Sequence, residues 1–139
     1  MKTKYITIDG YNKSDYTHHG NMFLTGNGAI GVRGTLCEYR KEYMPAINLG
    51  GVYDQVGDGW REPVNAPNGL FAELTVDGEK LTLPDSKYSE HKVRLNIYDG
   101  IYERKTCFDA AKGSATLSEE RMVSQANPNL ILQCLTVQT

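Results

Sequence analysis

From Val93 to Val123 apolar residues recur on alternate positions, and turn residues interrupt the chain about every eight to twelve positions. Val93, Leu95 and Ile97 alternate with Arg94, Asn96 and Tyr98, giving one buried and one solvated face. Asp99-Gly100 turns the chain and Ile101 to Phe108 returns it. Lys112-Gly113 turns it again before Ala115–Val123. Upstream, Leu74 and Val76 connect to Leu81 and Leu83 through Asp77-Gly78, a pair that favours a tight hairpin with positive φ. Helical spacing is almost absent. The pattern predicts an all-β fold, an antiparallel β-sandwich.

Further strands are expected at Tyr5–Ile8, Met22–Leu24, Ala29–Glu38 and Ala46–Tyr53, with polar Asp9 to Gly20 as a loop. Asp54 to Gly69 holds three glycines, two prolines and Trp60, and reads as a long irregular loop. Between Gly26 and Gly34 a glycine falls at almost every third position, which is a poor way to build a strand. It makes sense where another backbone or a ligand comes close, or where the chain bends at a sheet rim. After Asn127-Pro128-Asn129 the last strand is apolar on both faces. Leu130, Leu132 and Cys134 lie on one, and Ile131, Leu135 and Val137 on the other. Such a strand suits a central place covered on two sides, so a partner layer from outside this stretch is expected.

The 139 residues fit one domain, residues 1–139. A formal net charge of −2 argues against nucleic-acid or membrane-surface partners, which need a basic surplus. No apolar run approaches the roughly eighteen residues of a membrane span. After Lys2 and Lys4 the polar segment Asp9 to Gly20 stands in place of a signal-peptide apolar core, so the expected location is cytoplasmic. Cys37, Cys107 and Cys134 are read as reduced, mostly buried small hydrophobes. His18, His19 and His91 lack the spacing of a metal site and read as surface-loop residues; no metal or cofactor is expected.

Acid–base hydrolysis by carboxylates needs one to protonate the leaving group and a second to activate water, both facing one substrate. Asp54, Asp58, Glu62 and the Glu119-Glu120 pair are the candidates, but neighbours on a strand face opposite ways. Ser114 lacks a nucleophile elbow, and Gly26–Gly34 lacks the lysine and hydroxyl of a phosphate loop. No catalytic constellation emerges. Loop 53–69 offers a contact surface for a sugar or a neighbouring domain, through Tyr53, Asp54, Trp60, Arg61, Glu62 and Asn65, with Phe71 beside it. Aromatic faces stack on sugar C–H groups while carboxylate, amide and guanidinium groups bond the hydroxyls. The competing reading packs Trp60 as an internal lid or at a protein interface. Tyr98 and Tyr102 are expected on the outer sheet face.

Five ordered segments resemble the N-terminal domain of glycoside hydrolase family 65. They are Gly26-Asn27-Gly28-Ala29-Ile30-Gly31-Val32-Arg33-Gly34, then Asn48 to Asp54, then Glu62 to Asn68. Leu74 to Glu79 with Leu95 to Arg104 is the fourth, and Ser118 to Ser124 the fifth. The resemblance spans roughly residues 20 to 139. It implies the first part of a large N-terminal β-sandwich, whether a fragment or a naturally split gene product. The catalytic (α/α)6 barrel with the general-acid glutamate would lie outside this chain. The implied parent transfers glucose from an α-linked disaccharide to phosphate or water. This segment would support the barrel and dimerisation without catalysing. The alternative is a free-standing carbohydrate-binding or protein-interaction β module.

Overall fold

Alternation and Asp-Gly turns build the larger sheet as the sequence predicts. The computed structural model describes residues 4–139. In chain order the elements are β1 (Tyr5–Asp9), helix α1 (Tyr16–Met22), β2 (Thr25–Gly26), β3 (Ile30–Val32), β4 (Ile47–Asp54) and β5 (Glu62–Asn65). They continue with β6 (Leu74–Val76), β7 (Glu79–Leu81), β8 (Tyr88–Asn96), β9 (Ile101–Ala110), β10 (Gly113–Val123) and β11 (Ile131–Gln138). One antiparallel sheet runs β1-β8-β9-β10-β11, a second β2-β3-β4-β5, and β6-β7 is a separate hairpin. Asp77 and Gly78 both take positive φ, 50° and 82°, as a two-residue hairpin turn requires.

The inner face of the large sheet carries Val93, Leu95, Tyr102, Phe108, Ala115 and Leu117. Phe23, Leu36, Cys37, Tyr39, Leu81 and Leu83 close over it from the opposite layer. A smaller core of Ile30, Val32, Ile47, Leu70 and Val123 joins the second sheet to the end of β10. The result is an all-β sandwich whose second layer is part sheet and part irregular chain.

The glycine-rich stretch serves close approach of backbone to backbone. A methyl at Gly26 would lie 2.8 Å from Ile30 O, and one at Gly34 would lie 2.3 Å from Phe23 Cβ. Between them Asn27 acts as a clamp. Its Oδ1 accepts from Ala29 N and Ile30 N at 2.9 and 2.8 Å, closing the turn. Its Nδ2 donates to Ser124 O and Pro128 O at 2.7 and 3.2 Å, tying that turn to the β10–β11 connection. Arg33 donates to Thr17 O, Met44 O and Asn21 Oδ1, which holds α1 against the chain before β4.

Several expectations need correction. Residues 16–22 form α1, so the strand expected at Met22–Leu24 is displaced to Thr25–Gly26. The strand expected over Ala29–Glu38 is only Ile30–Val32, because beyond it the Gly34 N–H donates to Gly20 O and the Thr35 N–H to Arg33 O, both at 2.8 Å. The loop 54–69 contains β5, which pairs with β4. The last strand is not central: β11 is the sheet's edge, with Leu132 47%, Leu135 39% and Val137 44% exposed. Of the cysteines only Cys37 is buried, while Cys134 is exposed.

Candidate functional site

The inward positions of β9 and β10 place charge where apolar alternation leads one to expect hydrocarbon. On β9 the buried face reads Tyr102, Arg104, Thr106, Phe108, and on β10 it reads Ala115, Leu117, Glu119, Arg121, Val123. Arg104 forms a forked pair with Glu38, Nη2 donating to Oε1 at 2.8 Å, and both side chains are almost wholly buried. Burial alone would raise the Glu38 pKa and lower that of Arg104. Their mutual attraction outweighs it, so Glu38 is held below its ordinary range and Arg104 above. Arg121 donates to Thr35 O at 2.7 Å and stacks over Tyr102 with its Cζ 3.9 Å from the ring centre. Glu119 Oε1 accepts from Gln133 Nε2 at 2.9 Å. Glu119 is 1% exposed and Glu120 is exposed, so the pair does split across the sheet. Glu38 and Glu119 thus lie within the core.

Two other expectations fail here. Tyr102 is fully buried, not on the outer face, and His91 is buried, not in a surface loop. Arg104 Nε donates to Thr106 Oγ1 at 2.8 Å, and the Thr106 hydroxyl lies 2.8 Å from His91 Nδ1. The Thr106 hydroxyl, with one proton and two lone pairs, links the Arg104 guanidinium to the His91 imidazole. Burial, then the nearby Arg104 cation, lowers the His91 pKa to about 3. The native state therefore resists a proton that the unfolded chain takes up near pH 6.5. Stability falls as pH drops below about 6.5, by roughly 2 kcal/mol between pH 6.5 and 4.5. Urea unfolding of the wild type and His91→Asn across that range checks this. Asparagine keeps a polar partner for the Thr106 hydroxyl without a titrating ring, and the variant should show a flatter profile; parallel profiles would refute a buried His91 that resists protonation.

The sequence-derived contact residues lie on a projecting arm, the β4–β5 hairpin. Every residue from Leu49 to Pro63 is exposed. Trp60 is 91% exposed, Val56 86% and Tyr53 57%, so Trp60 is no internal lid within this chain. Tyr53 pairs with Pro63, and Asp54 with Glu62. Asp54 Oδ1 also accepts from Gln55 N at 2.7 Å. Tyr53, Asp54, Trp60, Arg61 and Glu62 thus share the outer end of the arm. Asn65 stands apart at its base, accepting from Ile47 N and donating to Pro45 O at 2.9 and 3.0 Å. On β5 three residue steps, about 10 Å, separate the Asn48–Asn65 and Asp54–Glu62 pairs, and β4 takes up its extra residues in a register shift between Asn48 and Tyr53.

Beside that base lies an open cleft of about 690 Å³, lined by Arg33, Tyr39, Arg40, Lys41, Met44, Asn65, Asn68 and Phe71 among others. The Arg40 guanidinium sits 5.7 Å from the Phe71 ring centre and bonds Glu73. The cleft was not foreseen, since its walls come from three separated segments; the run Arg40-Lys41 was the one local hint. Among the described residues no group of three or more histidine, cysteine, aspartate or glutamate side chains converges as a metal site. Among the described residues no helix is long and apolar enough to cross a membrane.

Comparison with known proteins fits this architecture. The family described as glycosyl hydrolase family 65, N-terminal domain, matches residues 6–139. Nigerose phosphorylase of Lachnoclostridium phytofermentans is 45% identical over 127 residues, 91% of this chain and 17% of the relative. The 1,2-alpha-glucosylglycerol phosphorylase of Bacillus selenitireducens is 28% identical, over 96% of this chain and 18% of its own length. A solved protein named as a candidate kojibiose phosphorylase from human microbiome superposes with a TM-score of 0.88 at 15% identity. It covers 99% of this chain and 20% of its own, and shows the fold. The chain spans less than a fifth of the length of these curated relatives. With the matched family profile, the sandwich and its Gly26–Gly34 motif in agreement, the chain belongs to glycosyl hydrolase family 65 and forms its N-terminal domain.

Proposed function

We propose that this chain is a non-catalytic β-sandwich segment of a cytoplasmic disaccharide phosphorylase. The parent would transfer glucose from an α-linked disaccharide, of which nigerose is the first to test, to phosphate. The observation that carries this reading is the match over residues 6–139 to an N-terminal domain, in relatives named as phosphorylases and more than five times as long. The role is scaffolding: residues 1–139 act as one unit that supports a catalytic barrel and contributes to dimerisation. Glu38 is committed to its buried ion pair with Arg104, and Glu119 bonds Gln133 through Oε1, which supports a structural use of these inward carboxylates. The arm is the surface by which the segment meets its surroundings.

A second reading, sugar recognition by Tyr53, Asp54, Trp60, Arg61, Glu62 and Asn65, is favoured by the exposed indole at the arm's end. Titration of the chain with nigerose, kojibiose, maltose and glucose, with and without phosphate, tests both through Trp60 fluorescence and release of sugar phosphate. The scaffold reading expects a flat signal and no turnover. A saturable change with one sugar would favour the recognition module, and turnover would overturn the non-catalytic assignment.

A further inference from the structure

The arm and the cleft have complementary chemistry. At the outer end of the arm Asp54 and Glu62 sit directly opposite each other, a like-charge pairing that is unfavourable unless a cation joins it. Asp58 adds a third carboxylate, and Arg61 is the single nearby cation. The cleft is the reverse. Arg33, Arg40 and Lys41 line it and no carboxylate does, although Glu73 just outside holds Arg40. Lys41 has no ion pair among the described residues. Phe71, 41% exposed, and Met44, 51% exposed, give the cleft apolar walls for an indole.

The cleft lies at the base of the arm, with Asn65 belonging to both. Two arms placed side by side in opposite directions would bring each outer end to the other's base. One two-fold axis then satisfies both contacts at once, the closed arrangement expected of a symmetric dimer. We infer that the arm is an exchange element whose Trp60-bearing end enters the cleft of a second copy of this chain, opposite its Lys41 and Arg40. This rests on the dimerising part of the function proposed above and names the contact that would carry it.

Sedimentation equilibrium of the chain from micromolar to near-millimolar concentration tests it, with circular dichroism to check that each variant is folded. The wild type is expected to dimerise, less tightly at higher salt. Trp60→Ser, at an exposed position, should weaken the dimer at least about thirtyfold, as for a buried aromatic anchor. Lys41→Glu and Asp58→Lys should each weaken it, and a chain carrying both should regain most of the affinity. A folded dimer indifferent to Trp60→Ser, or one disrupted by Leu132→Lys on the β11 edge instead, would refute the exchange while leaving dimerisation standing. A wild type that stays monomeric throughout would overturn both.

Discussion

Replacing Glu38 with glutamine is expected to lower folding stability by about 3–5 kcal/mol, the usual result of stranding one member of a buried ion pair. Glu38 and Arg104 lie deep in the core, and Glu38 also accepts from Leu83 N at 3.3 Å. Glutamine keeps the shape and leaves the Arg104 cation without its counter-charge. A loss of less than about 1 kcal/mol of unfolding free energy in urea would contradict the account. The double variant Glu38→Gln with Arg104→Met should be more stable than Glu38→Gln alone, because no uncompensated charge remains buried. The pH dependence gives a second readout. Because Arg104 holds the Glu38 pKa below its unfolded value, this pair's contribution is fully present above about pH 4.3. It is lost as pH falls further through the folded value, and Glu38→Gln should remove that part of the acid sensitivity.

Gly34→Ala should be comparably damaging for a different reason. The new methyl would lie 2.3 Å from Phe23 Cβ and 2.6 Å from both the carbonyl carbon and oxygen of Phe23. Gly34 cannot retreat easily, since its N–H donates to Gly20 O at 2.8 Å, and Phe23 is 1% exposed within the core. Backbone atoms rather than a flexible side-chain end must move, so a loss of about 3 kcal/mol or more is expected. Gly31→Ala, three residues earlier in the same motif, meets nothing within 4 Å. That variant should be neutral or gain up to about 1 kcal/mol through reduced unfolded-state freedom. Equal effects at the two positions would show that the motif is not a backbone-approach device.

The large sheet was legible because its information is local. Asp99-Gly100 and Lys112-Gly113 mark its turns, as Asp77-Gly78 marks that of the separate β6–β7 hairpin, and the period of two fixes the faces between them. The first half was harder, since its structure rests on contacts between distant segments. Asn27 reaches Ser124 and Arg33 reaches Thr17 and Met44, and no nearby residue pattern announces either bond. β5 went unread because Glu62-Pro63-Val64-Asn65 has little strand character and exists through pairing with β4. The buried charges could have been found by parity: Arg104 stands two places from Tyr102 and Thr106, and Glu119 and Arg121 lie between Leu117 and Val123 on one face. Composition alone reads such residues as solvated. Loop 53–69 was singled out for its aromatic and polar content, and most of those residues do share the arm. Its cleft needed the fold.

The central claim is that the parent's chemistry and choice of sugar reside outside this segment. The direct measurement is a chimaera in which these residues replace the matching N-terminal 127-residue region of nigerose phosphorylase from Lachnoclostridium phytofermentans, assayed for phosphorolysis of several α-linked disaccharides. The account predicts an active enzyme with the recipient's substrate order unchanged and kcat within a few-fold of the original. A folded chimaera whose preferred disaccharide changes, or whose kcat collapses while the protein stays assembled, would place substrate chemistry in this domain and contradict the account.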